Sequence, residues 1–191
     1  IFYNKVSEEN RLEKGMGIFE FERIKAIIKK YIANSPLTIV DVGGGSGKYS
    51  EWLAKQGHHV HLLEPILKHI KIEQNRDQRL HNKFTIHQGE ARNLELPDGC
   101  ADIVLLHGPL YHLQSKQDRD LAIMEAKRVL KDNGIILGVA INYSATVLVG
   151  LLSGLIHQEP FFQICKQELT MGMHEATDDL PWLLANAFYH K

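Results

Sequence analysis

Apolar positions along the chain change their period several times. Phe21, Ile24, Ile27, Ile28 and Tyr31 recur at helical spacing with Glu22, Arg23, Lys25, Lys29 and Lys30 between them, which predicts an amphipathic helix ending before Pro36. Leu37–Val42 is instead a short apolar, β-branched run bounded by Pro36 and the glycines at 43–45, as expected of a strand buried on both faces. The two patterns then alternate. Tyr49, Trp52, Leu53 and Gln56 mark a helix closed by Gly57, and His59–Glu64 is the next strand. Pro65–Arg76 reads as helix, Lys83–Gln88 and Ala101–His107 as strands, Ser115–Lys131 as helix and Gly134–Ile141 as a further strand. Ser115 with Asp118 has the spacing of a capping box, and Asn133-Gly134 turns the chain into that last strand. Beyond Asn142 the pattern turns helical, over Ser144–Ile156 and Pro160–Leu169, and no later strand is legible.

Continuously apolar strands that alternate with helices predict a doubly wound α/β fold, a mostly parallel sheet with helices on both faces joined by right-handed crossovers. With 191 residues and no repeat or linker-like tract, the chain reads as one domain. Residues 36–141 form its core, 1–35 a lid and helix, and 142–191 a helical cap. In such a sheet ligands lie beyond the carboxyl ends of the strands, where strand order reverses. That directs attention to residues 43–48, 64–66, 89–92 and 107–113.

The first of these is Asp41-Val42-Gly43-Gly44-Gly45-Ser46-Gly47-Lys48. Four glycines in one strand-to-helix turn exceed what a tight turn requires and keep side chains away from a ligand. A triphosphate-binding P-loop is excluded, because Val42 stands where its first glycine belongs and Tyr49 follows Lys48. The dinucleotide pattern GxGxxG also fails, with Lys48 or Ser50 at its last place. What fits is DxGxGxG on Asp41, Gly43, Gly45 and Gly47, and here the chain resembles the class I S-adenosylmethionine-dependent methyltransferases.

The resemblance covers about residues 36–141 and implies a Rossmann-like fold, S-adenosylmethionine as cofactor and S-adenosylhomocysteine as product. It places the loop, Gly44 included, under the methionine and ribose, and Glu64 on the ribose hydroxyls. Pro65 and Ile66 follow, with Ile66 against the adenine face. Gly89, Glu90, Ala91 and Arg92 fall at the family's adenine position, where Glu90 replaces the usual Asp. His107-Gly108-Pro109-Leu110-Tyr111-His112-Leu113 falls where the family holds the methyl acceptor and resembles a small-molecule branch carrying GPLYHL. It lacks the Asp/Asn-Pro-Pro-aromatic run of enzymes that methylate nucleic acid amino groups. Family members also carry two further strands, so the resemblance implies more sequence than the chain has after Lys191.

Transfer from a sulfonium is an in-line displacement that needs positioning more than a catalytic triad. Where the acceptor must lose a proton, His112 is the first choice of base, with Tyr111 and His107 as alternatives. The plainer reading is that these residues pack the loop and that His107 touches cofactor. Tyr3 and Arg11 are candidates for a lid, Arg11 pairing with the methionine carboxylate as a bidentate guanidinium. Phe161 and Phe162 are candidate walls of the acceptor pocket.

Composition narrows the partners. Lys and Arg number 22 against 23 Asp and Glu, so no field of one sign gathers nucleic acid or anionic membrane. The longest apolar run, Ala145–Ile156, falls short of the about 20 residues a membrane span needs, and the start of the chain does not read as a signal peptide. Cys100 and Cys165 form no CxxC, which points to neither a disulfide framework nor zinc and suits a reducing cytoplasm. His58, His59 and His61 lack a carboxylate or thiol partner at ligand spacing, so no metal is expected. The expected protein is a monomeric or homodimeric methyltransferase acting on a small molecule. Its rivals are a catalytically inactive binder of the same cofactor and a nicotinamide-dependent oxidoreductase, the latter disfavoured because no YxxxK follows any of the six tyrosines.

Overall fold

The computed structural model describes residues 11–32, 35–79, 84–175 and 187–190. Five parallel strands, β1 (Thr38–Val42), β2 (His59–Glu64), β3 (Phe84–Gln88), β4 (Ala101–Leu106) and β5 (Leu130–Gly138), form one sheet in the order β3-β2-β1-β4-β5. Around them lie α1 (Met16–Ile28), α2 (Lys48–Lys55), α3 (Leu67–Arg79), α4 (Pro109–His112), α5 (Lys116–Val129), α6 (Ala145–Ser153) and α7 (Glu159–Met171). This is the Rossmann-like arrangement that the alternation of patterns predicts. Among the described residues no helix is long and apolar enough to cross a membrane.

The central strands read as apolar runs because both of their faces are covered. On one face Ile39, Leu62, Ile103 and Leu105 pack with Ile28 of α1 and Leu53 of α2. On the other, Val40, Val42, Leu63, Val104 and Leu106 meet Ala122, Ala126 and Val129 of α5. Register then positions the site. Val42 lies across from both Leu63 and Leu106, and Glu64 from Gln88, so the strands end level. Backbone bonds continue one step further, Gly43 N–H to Leu63 O (2.8 Å), His107 N–H to Val42 O (3.3 Å) and Gly89 N–H to Glu64 O (3.3 Å).

Several boundaries differ from expectation for identifiable reasons. Helix α1 begins at Met16, five residues before the periodic run, because the 3₁₀ turn Arg11–Glu13 packs directly on its start. A Cβ on Gly17 would sit 2.0 Å from the Arg11 carbonyl oxygen, so only glycine allows that contact. Strand β5 starts at Leu130 rather than Gly134. Its register slips between Ala101 and Ile103, so Asn133-Gly134 belongs to an irregularity within the strand and not to a turn before it. The Ser115 hydroxyl accepts from Asp118 N–H (3.0 Å) as an N-cap. Asp118 does not complete a capping box, since its carboxylate takes Arg92 Nη1 (2.9 Å).

The cap holds the two expected helices, α6 and α7, and also two short strands that the pattern did not reveal. Strands β6 (Met173–His174) and β7 (Ala187–Phe188) pair antiparallel, apart from the main sheet. Phe161 is fully buried with its ring against Gly150, and Phe162 is exposed. Neither faces the cavity described below, so both are corrected from pocket walls to cap core and cap surface. Buried Glu168 and His174 pair at 2.5 Å, and the Tyr189 and Thr146 hydroxyls at 3.1 Å join the chain end to α6.

Candidate active site

A cavity of about 650 Å³ opens above the level carboxyl ends of the strands. Its floor is the turn after β1. Gly43, Gly45 and Gly47 all have positive φ, +72°, +61° and +71°, a region side chains enter only at a cost. Gly43 backs onto Pro109 and Gly108, while a Cβ on Gly44 would lie 2.7 Å from an Asp41 carboxylate oxygen. At Gly45 a Cβ would meet nothing within 4 Å, so that backbone borders open cavity. Asp41 and Gly47 lie beneath the loop and do not line the cavity, whereas Gly43, Gly44, Gly45 and Ser46 do.

Glu64, at the end of β2, is 3% exposed. Its carboxylate accepts from Gly45 N–H (3.1 Å), from Ile66 N–H (3.0 Å) and contacts His69 Nδ1 (3.3 Å). The acid therefore ties strand β2 to the glycine turn and holds both against the ligand space. A carboxylate offers about four acceptor positions, so these bonds leave capacity toward the cavity. Pro65, Ile66, Gly89, Glu90 and Ala91 continue the wall. Glu90 accepts from Arg92 Nε on both oxygens (3.0 and 2.8 Å). Arg92 itself turns outward to Asp118 and is not part of the cavity lining.

Below the turn lies a cluster of buried polar groups. Asp41 accepts from the Ser50 hydroxyl (2.8 Å), and its other oxygen is 3.6 Å from His107 Nδ1. That oxygen, both His107 ring nitrogens and the Tyr49 hydroxyl are buried with no hydrogen-bond partner among the described residues. The Tyr49 and His107 rings meet at 4.4 Å. Burial pushes the Asp41 carboxyl and the Tyr49 phenol up and the His107 imidazole down.

The motif after β4 forms α4, a single turn opened by Pro109 after Gly108 at the N-cap, that places Gly108, Tyr111 and His112 on the cavity wall with His107. The Tyr111 hydroxyl donates to the His107 carbonyl. Leu113, Val139, Ile141, Asn142, Ala145 and Ala187 complete this side. Arg11, Leu12, Glu20 and Ile24 also line the cavity. Arg11 reaches the cavity, where Glu20 holds its guanidinium at 2.5 and 2.8 Å. Glu13 pairs with Lys48, fastening this N-terminal strap to α2. Tyr3, the other lid candidate, lies outside the described residues.

Sequence reasoning missed Glu20, His69, Asn142 and Ala187. His69 lies on α3 about one turn past Glu64, a usable signal, but nothing in the pattern marks Ala187. Among the described residues no group of three or more His, Cys, Asp or Glu is placed to hold a metal.

Burial also depresses the imidazoles of His58, His61 and His87. Unfolded imidazoles take protons near pH 6.5, while these four, His107 included, resist until lower pH. The unfolded chain then binds more protons in that window, so these histidines lower stability as pH drops below about 6.5 and contribute no change above it. The raised Asp41 carboxyl works in the opposite direction, one group against four. A thermal midpoint lower at pH 5.5 than at pH 7.5 is expected by calorimetry; equal midpoints would show that the buried imidazoles do not outweigh Asp41.

The site suits an adenosyl ligand carrying a sulfonium. Its glycine floor excludes side chains, its acidic group stands beside that floor, and its charged lining is mainly acidic: Glu20, Glu64 and Glu90 against Arg11. Solved structures share the fold. A S-adenosylmethionine-dependent methyltransferase of Methanosarcina mazei is similar at 20% identity and a TM-score of 0.67, over 86% of this chain and 76% of that one. A protein of Pyrococcus horikoshii OT3 is similar at 20% identity and a TM-score of 0.63, over 80% of this chain and 69% of its own. Phosphoethanolamine N-methyltransferase 1 of Haemonchus contortus, solved with phosphoethanolamine and S-adenosylhomocysteine, is similar at 23% identity and a TM-score of 0.52, over 58% of this chain and 24% of that enzyme. No curated protein matches. The family model of the methyltransferase domain matches residues 40–138, from within β1 to the end of β5, which is more than half the chain; the protein belongs to the methyltransferase-domain family.

Proposed function

We propose that the protein is a S-adenosylmethionine-dependent methyltransferase that acts on a small-molecule acceptor in the cytoplasm. The observation that carries this reading is Glu64, buried at the end of β2 and bonded to Gly45 N–H at the rim of a cavity whose floor no side chain crowds. In this reading Glu64 takes the ribose hydroxyls, and Ile66, Glu90 and Ala91 border the adenine. The main chain of Gly43–Gly45 runs beneath the methionine portion, whose carboxylate exchanges with Glu20 for Arg11. Bound there, S-adenosylmethionine supplies a methyl group made electrophilic by its sulfonium.

The chain's part is positioning and proton handling. Leu113, Val139, Ile141 and Ala145 keep the acceptor side apolar and exclude water, which favours in-line attack. His112 on the same wall takes a proton from an acceptor that must lose one. Tyr111 is the weaker choice of base because its hydroxyl is engaged with the His107 carbonyl. The near balance of basic and acidic residues favours a small molecule over nucleic acid as acceptor.

Calorimetric titration with S-adenosylhomocysteine tests the reading. Saturable binding at one site per chain is expected. No saturable heat at millimolar ligand would remove the basis for it.

A further inference from the structure

The last described residues, 187–190, arrive beside α4, where His190 reaches its backbone directly and Phe188 rests on Arg119, which bonds the carbonyls just past its end. His190 Nε2 lies 3.0 Å from the Leu110 carbonyl oxygen, and since a carbonyl only accepts, that nitrogen carries the proton. The backbone of His190 is fastened in turn: its N–H donates to Ile141 O (2.8 Å), and its carbonyl accepts from Tyr143 N–H (3.1 Å). Phe188 meets the His190 ring edge-on at 4.9 Å and stacks on Arg119, whose guanidinium carbon is 3.5 Å from the Phe188 centroid. Arg119 Nη1 donates to the carbonyls of Leu113 (2.8 Å) and Gln114 (2.7 Å).

These contacts answer a physical need. A helix of four residues is far below the length at which helices persist alone, and its last carbonyls have no partner within the helix. Inside the turn, His112 N–H bonds to Gly108 O (3.0 Å) and Leu113 N–H to Pro109 O (3.0 Å). The Leu110 and Leu113 carbonyls receive their donors from His190 and Arg119. Between them stand Tyr111 and His112, and Ala187 of the same segment closes the cavity wall.

We propose that His190, together with Phe188 acting through Arg119, forms a clamp that positions α4 and so sets the acceptor side of the site. The clamp rests on these contacts alone. That the clamped turn faces a methyl acceptor rests on the methyltransferase reading.

Amide hydrogen exchange on the full chain, read by mass spectrometry, separates the two. In His190→Ala the amides of residues 111–114 should exchange at least tenfold faster, with residues 38–47 unchanged and S-adenosylhomocysteine affinity within twofold of the parent. His190→Gln, which keeps a side-chain N–H donor, should recover most of the protection. Arg119→Met, releasing the other end, should repeat the local effect and decides the matter if His190→Ala does not fold. Unchanged exchange at 111–114, a rise spread evenly over the chain, or no recovery in His190→Gln would overturn the clamp. Failure of the parent protein to bind S-adenosylhomocysteine would instead remove the methyltransferase reading and leave the exchange result to judge the clamp.

Discussion

Gly45→Val is expected to weaken S-adenosylhomocysteine binding roughly 100-fold, about 3 kcal/mol, while costing the fold only about 1–2 kcal/mol. The two effects have separate causes. Gly45 sits at φ +61°, so any side chain there is strained in the folded state, and a β-branched one most of all. Among the described residues, chain neighbours apart, no atom lies within 4 Å of the position a Cβ would take, so the bulk of the valine is expected to enter the cavity rather than the protein. A neighbour supplies the contrast. At Gly44 the new Cβ would press on the Asp41 carboxylate, so Gly44→Val should damage folding first. Urea denaturation and calorimetric titration of both variants measure the split. Full affinity in Gly45→Val would show that no ligand passes over the turn.

Glu64→Ala should lose about 1–3 kcal/mol of S-adenosylhomocysteine affinity, the range for removing a charged hydrogen-bond acceptor. It should also lower stability, because the Gly45 and Ile66 N–H groups lose their acceptor. Glu64→Gln keeps one acceptor oxygen but turns an NH₂ toward groups that only donate, so it should fall between alanine and the parent. A cycle with the 2′-deoxy ligand isolates the ribose contact. The parent should discriminate against the deoxy ligand and Glu64→Ala should not. Equal discrimination by both proteins would place the ribose elsewhere.

Legibility in the sequence followed burial. Strands β1, β2 and β4 lie inside the sheet, so β1 and β4 are mostly apolar, with Asp41 and Asp102 as the charged exceptions, and β2, apolar only at Val60, Leu62 and Leu63, still begins and ends at the residues expected. The glycine turn was legible because positive φ leaves a compositional mark. Strand β5 lies at one edge of the sheet, and its first half, Leu130–Gly134, carries Lys131, Asp132 and Asn133, so Lys131 reads as the end of the preceding helix and Asn133-Gly134 as a turn. Helix α4 is too short to show a period. Strands β6 and β7, two residues each, have no pattern to show.

Within the site, Gly43, Glu64 and His107 could be located because each directly follows or ends a legible strand. Glu20 and Ala187 could not, because tertiary packing alone brings them to the cavity. Phe161 and Phe162 failed for a related reason. Adjacent aromatics on α7 point about 100° apart around the helix, so one is buried and the other exposed, and no residue of α7 borders the ligand space.

The level ends of the strands carry a further implication. Beyond Asn142, the described chain borders the cavity only at Ala145 and Ala187. In the methyltransferase reading proposed above, the nucleoside shelf and the acceptor entrance are therefore modular. A changed cap would alter which compounds are admitted without disturbing the shelf, whereas one residue inserted within β2 would shift Glu64 along by about 3.3 Å and turn it to the opposite side of the sheet. New specificities should consequently arise by remodelling the chain beyond Asn142, with the inner strands held at constant length.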